Sequence, residues 1–197
     1  YCIACKNNDS VMNTASRVDG YIQRIESTNP YDSIAAIPVP AGFERKKELP
    51  DSFGNWLRKI PLKRDKTVYL YNGEKKKNQL AQFAVLDLPV GNKDLQQCAD
   101  AVMRLRASWL FDQQRYNDIS FADNEGKQYR FTSPYTKEHF ETYLQTVFAR
   151  CGTASLSKQL KKTSYDQLQA GDVLIRGGFP GHAVMVMDIA VNKDGEK

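Results

Sequence analysis

The chain has 197 residues and a mass of 22.4 kDa, with 41% hydrophobic, 26% charged and 11% aromatic residues. This excludes a disordered or low-complexity chain, and the length suits one domain that buries a core without staples. A net charge of +5 does not point to nucleic acid, no window approaches the ~18 apolar residues of a membrane span, and four cysteines make no disulfide-dense scaffold.

The chain opens Tyr1-Cys2-Ile3-Ala4-Cys5, small residues before a cysteine and polar residues after it. This is similar to the tail of a bacterial lipoprotein signal, which makes residues 1–10 a signal remnant and linker and Cys5 the lipidated residue. Two other readings are a floppy terminus and a Cys-x-x-Cys redox or metal pair, the latter lacking a strand–helix context or a second ligand pair. Residues 11–197 then form a single domain. Its first helix is expected over Val11 to Glu26, with Val18, Ile22 and Ile25 on one face and Asn29-Pro30 as the stop.

Ile37 to Val39 and Phe43 read as short extended pieces between prolines and a glycine. Asp51 or Ser52 can cap a short helix over Phe53 to Lys59 that ends before Pro61. Thr67 to Tyr71 and Ala81 to Leu88 are expected as the arms of a hairpin around Asn72-Gly73. The basic runs Arg45-Lys46-Lys47 and Lys75-Lys76-Lys77 read as solvated faces.

Leu95, Cys98, Val102, Leu105 and Trp109 recur at steps of three and four, which predicts a long buried helix over Leu95 to Gln113. Asp94 is its expected N-cap, with Gln97 completing a capping box. A second hairpin is expected from Ile119 to Phe131 around Asn124-Glu125-Gly126, followed by a helix over Lys137 to Arg150 with Gly152 at its C-terminal cap. Ser155 to Lys161 can add a turn or two of helix. Gly171 to Arg176 reads as a strand, Gly177 to Gly181 as a glycine-rich loop, and His182 to Val191 as one apolar strand buried on both faces. Asp194-Gly195 is a turn signal with no strand after it, so the parent protein is expected to continue. Helices first and strands last argue for an α+β fold.

The chemistry-bearing residues are Cys98 and His182. A cysteine in the first turn of a helix meets unsatisfied N–H groups that favour thiolate and can hold an oxyanion. A histidine after a glycine-rich loop can take the thiol proton and return it to a leaving group. Each residue alone is equally readable as core. The nearby Arg104 and Arg106 can grip a substrate carboxylate or line the exposed side of a helix. The sequence suggests no metal or cofactor.

Two stretches, Ala170-Gly171-Asp172-Val173-Leu174-Ile175 and Gly181-His182-Ala183-Val184-Met185-Val186-Met187-Asp188, resemble the NlpC-type and CHAP-type papain-like peptidases. That resemblance implies a papain-like α+β fold with Cys98 as nucleophile, His182 as base and Asp172 as a structural residue. Independently of it, Arg104, close to the candidate site, and Gly178 and Gly181, whose lack of side chain lets a substrate backbone approach, are the expected substrate-binding positions. The chain departs from the pattern in having Gln96-Gln97-Cys98-Ala99 around the nucleophile and no later strand to supply a third residue. Asp188, about 20 Å along the strand from His182, is too distant to orient it. A further resemblance rests on Ser52-Phe53 to Trp56-Leu57-Arg58, on Asp94 to Val102 and on Pro180 to Val184. It is to an uncharacterised bacterial family of envelope proteins, mostly lipoproteins, whose domain has no assigned activity. The resemblances imply an envelope location, a membrane link through a lipid anchor only, and a cell-wall peptide or envelope partner. They frame two functions: a cysteine hydrolase of amide bonds, or a catalytically silent papain-like scaffold that binds an envelope partner or glycan.

Overall fold

The computed structural model describes residues 28–197. The first expected helix and Cys5 lie outside the described residues. Among the described residues, four α-helices and three two-stranded antiparallel ladders make a mixed α+β fold.

A helix over Phe53–Arg58 (α1) begins where Ser52 Oγ accepts the Asn55 N–H at 3.1 Å. The central helix is Cys98–Asp112 (α2). Ala99 to Leu105 are all buried, so this helix has no solvent face over its first two turns and forms the axis of the core. Helices over Lys137–Arg150 (α3) and Thr153–Gln159 (α4) flank it. Thr136 Oγ1 caps α3 by accepting the His139 N–H. Leu144 and Val147 of α3 join Leu57, Met103 and Ile119 in the fully buried centre.

The strands Phe43–Arg45 (β1), Ser120–Ala122 (β2), Gln128–Arg130 (β3), Val173–Arg176 (β4), His182–Met185 (β5) and Ala190–Asn192 (β6) pair as β1–β6, β2–β3 and β4–β5. In β4–β5 the register sets Arg176 opposite His182 and Val173 opposite Met185. The expected hairpin at Asn124-Glu125-Gly126 forms. Asp123 Oδ1 accepts the N–H groups of Glu125 and Lys127, and Gly126 takes a φ of 87°.

Four expectations need correction. The helix expected from Leu95 starts at Cys98, because Gln96 adopts a left-handed φ of 68° and Gln97, not Asp94, is the N-cap. The strand expected from His182 to Val191 breaks after Met185, and the chain turns at Asp188 to pair β6 with β1. Burial along β5 alternates, with Ala183 and Met185 inward, so one face is buried rather than two. The hairpin around Asn72-Gly73 closes at once on residues 74–76, while Leu86 crosses to bridge Leu62. There the Gln79 side chain replaces a strand partner, accepting the Val68 N–H at 3.0 Å and donating to the Val68 carbonyl at 2.9 Å. Finally, Gly152 does not end α3 with a left-handed turn. Its φ of −158° is extended, Cys151 is the C-cap, and Gly152 starts α4.

Candidate functional site

Cys98 is the first residue of α2 and is half-buried. The turn before it is tightly specified. Asp100 accepts the Gln97 N–H at 2.9 Å and also a backbone bond from Gln96. The Gln96 amide donates to the Val90 carbonyl at 2.6 Å, and its oxygen accepts from Arg104 Nε at 2.6 Å. These bonds hold Gln96 in a backbone region that costs a non-glycine residue about 1 kcal/mol or more. The helix therefore opens abruptly at Cys98, whose own N–H falls in the first turn, where backbone N–H groups have no partner within the helix.

His182 opens β5, and α2 packs directly on β5. Two further observations describe the surroundings of this pair. Near its start, α2 carries Asp100, whose charge helps to raise the Cys151 thiol. Cys151 leads into α4, where Thr153 Oγ1 donates to the Gly178 carbonyl at 3.1 Å and lies against Gly181, the residue before His182. Val102, Met103 and Arg106 of α2, Leu156 of α4 and Met185 of β5 line one shared cavity. These contacts set α2, α4 and β5 side by side, with the start of α4 against the loop that leads into His182.

The glycines of the 177–181 loop permit a close approach to α4. A side-chain carbon on Gly181 would collide with Thr153 Oγ1, and one on Gly177 would collide with Ser157 Oγ. Gly178 has a φ of 143°, which favours glycine. Gly178 and Gly181, the expected substrate-binding positions, thus also seat the loop on α4. Phe179, at the tip of this loop, is 86% exposed.

Arg104, the remaining expected substrate-binding residue, is held firmly by its neighbours. Its guanidinium is buried, bonded bidentately to Glu141 at 3.0 and 2.9 Å, bonded to Gln96 through Nε, and laid over the Phe148 ring. It is a strut between α3 and the turn before Cys98, about 9 Å farther along the helix axis than the thiol. Asp188 has both oxygens engaged, Oδ2 by Arg45 Nε and Oδ1 by Arg58 Nε, each at 2.7 Å. Arg45, read from sequence as part of a solvated run, also donates to the Ile37 carbonyl. Asp172 is structural, accepting the Gln169 N–H at 2.8 Å.

Two ionisable groups near the start of α2 are perturbed. Burial raises the Asp100 carboxyl to about 6, outweighing the backbone N–H groups that stabilise its anion. Burial, then the charges of Asp123 and Asp100, push the Cys151 thiol up to about 11, which makes it inert. The sequence reading missed Asp100 and Gln96. The signal was present, since Gln97 and Asp100 have capping-box spacing one turn after Asp94 and Gln97. Among the described residues, no cluster of three His, Cys, Asp or Glu groups gathers to hold a metal, and no helix is long and apolar enough to cross a membrane.

Residues 34–135 and 132–197 match the model of a protein family described as a domain of unknown function (4846). The match spans most of the chain, and the chain belongs to that family. Comparison with curated proteins and comparison with solved structures each found no match.

Proposed function

We propose that this domain is a papain-like cysteine hydrolase of the bacterial envelope that cleaves amide bonds, with cell-wall peptides as the substrate class and a lipid anchor at Cys5. The observation that carries the reading is that Cys98 is the first residue of the buried helix α2, which packs directly on the strand that His182 opens. In this mechanism His182 takes the thiol proton as Cys98 Sγ attacks the amide carbonyl carbon. The N–H groups at the start of α2 hold the resulting oxyanion. Collapse expels the amine, which receives the proton from His182 and leaves a thioester on Cys98. Water, deprotonated by His182, then releases the carboxylic acid and restores the thiol.

A second reading, a silent scaffold that binds an envelope partner or glycan, is favoured by one observation. Asp188 and Asp172, the acids that flank His182 in sequence, are already engaged elsewhere and leave no orienting role for either.

The test is the pH dependence of alkylation by iodoacetamide, followed by mass spectrometry on each cysteine, with Cys151 as the inert internal control. The hydrolase reading expects Cys98 to react half-maximally below pH 7, well under the ~8.5 of a free thiol. It also expects His182→Ala to move that midpoint upward by about one pH unit or more. A midpoint near that of a free thiol, unchanged in the variant, overturns the hydrolase reading and leaves the scaffold.

A further inference from the structure

The two arginines of α2 that are two positions apart have opposite fates. Arg104 is neutralised by Glu141. Arg106 is half-buried, yet makes no ion pair and no hydrogen bond with any described residue. Its guanidinium instead lies over Trp109, 4.5 Å from the ring centroid, and over Phe53 at 5.5 Å. Burial, and then the positive charge of Arg115, disfavour its cation, with only Asp118 opposing them. Arg115 is itself paired with Asp118 at 2.6 Å, so that acid is already shared. A desolvated cation without a counterion is costly, and stacking on rings returns only part of that cost.

Beside it is a second donor without an acceptor. Trp109 is buried, and its Nε1–H has no partner among the described residues. Buried donors of this kind are rare and point to a missing acceptor. Among the described residues, Arg106 is the one charged residue lining a cavity of about 370 Å³, whose walls include Phe53, Met103, Phe121, Leu156 and Met185, with Ser120 and Gln159 as neutral polar groups. That volume, and a mainly apolar lining with a few polar anchors, have the composition of a small-molecule site.

We propose that this cavity binds a monocarboxylate with an apolar body, its carboxylate paired with Arg106 and its apolar part against Met103, Phe121 and Met185. An aryl or acyl acid, or the C-terminus of a peptide ending in an apolar residue, has this chemistry. One cation selects one negative charge, and the apolar walls reject a strongly hydrated dianion such as phosphate. The site lies about 12 Å along the α2 axis from Cys98 and stands whether or not Cys98 is catalytic.

The experiment titrates the 197-residue chain with 4-phenylbutanoate and follows the Trp109 indole ¹H–¹⁵N NMR signal, assigned by loss in Trp109→Phe. The uncharged 4-phenylbutanamide and inorganic phosphate are run alongside. The expected result is a saturable shift of the Trp109 signal with the acid, and at least tenfold weaker binding of the amide and of phosphate. Arg106→Gln should weaken the acid at least tenfold and leave the amide unchanged, whereas Arg106→Lys should retain part of the affinity. Equal binding of acid and amide, or undiminished acid binding in Arg106→Gln, overturns the proposal, as does the absence of any shift. Should Arg106→Gln fail to fold, the acid-to-amide ratio on the parent chain decides alone.

Discussion

At Asp100 two opposing effects meet in one side chain. Backbone N–H groups of Gln96 and Gln97 stabilise its anion, while burial destabilises it, and burial prevails, raising the carboxyl from 3.8 to about 6. The folded chain therefore holds this proton more tightly than the unfolded chain. Between about pH 4 and pH 6 the native state binds more protons, so this group's contribution to stability falls as pH rises through that window. Above pH 6 the buried charge costs roughly 3 kcal/mol at most. Asp100→Asn removes the titration and keeps one acceptor oxygen. Relative to the parent, the variant should gain about 1–3 kcal/mol between pH 4 and pH 7.5, read from urea unfolding at both values. A parent–variant difference that is the same at both pH values would show that Asp100 titrates normally. The same carboxylate sets where α2 begins, and so makes Cys98 the first helical residue rather than one buried in a longer helix.

Among the elements, α4 and the 177–181 loop meet just before His182. A methyl on Gly181 would collide with Thr153 Oγ1 and approach the Gly178 carbonyl oxygen to 2.6 Å. Backbone atoms cannot swing aside as a long side chain can, so Gly181→Ala should destabilise the domain by about 2–3 kcal/mol. Gly73→Ala is the matched control. Gly73 has a φ of 83° with open space around it, so only backbone strain is added, about 1 kcal/mol. Thermal unfolding should thus rank Gly181→Ala clearly below Gly73→Ala. The reverse order would mean that the loop is not seated on α4. At this scale the sequence was informative for α3, which spans the expected Lys137–Arg150. It was less informative for the strand after His182. Apolar content alone cannot show that Asp188 is drawn to two arginines from distant parts of the chain.

That pairing belongs to the whole molecule. Arg45 lies on β1, Arg58 ends α1, and Asp188 precedes β6, so one carboxylate ties together three segments far apart in sequence. Arg58 also donates to the Lys46 carbonyl at 2.7 Å, and the Lys46 N–H bonds to Ile189 at 2.9 Å beside the β1–β6 ladder. Asp188→Ala leaves two partly buried guanidinium groups facing each other and should cost about 2–4 kcal/mol. Amide hydrogen exchange should show the loss first at Lys46 and across β1–β6, with α2 and α3 retaining their protection. Uniform loss of protection across the domain would mean that the clip is part of the global core rather than a local latch.

The sequence by itself determined the helices, the β2–β3 hairpin and the candidate pair of Cys98 and His182. Apolar periodicity, capping residues and turn signals are local, and each is complete within a few neighbouring residues. Tertiary structure alone decided which arginine is neutralised and which is left charged against a cavity. It also decided where the strand after His182 breaks, and that the loop glycines serve packing against α4. Those outcomes depend on groups brought together from far along the chain, as with Arg104 and Glu141 or Asp188 with Arg45 and Arg58. Burial and charge pairing are properties of the assembled core, and no spacing within one segment records them.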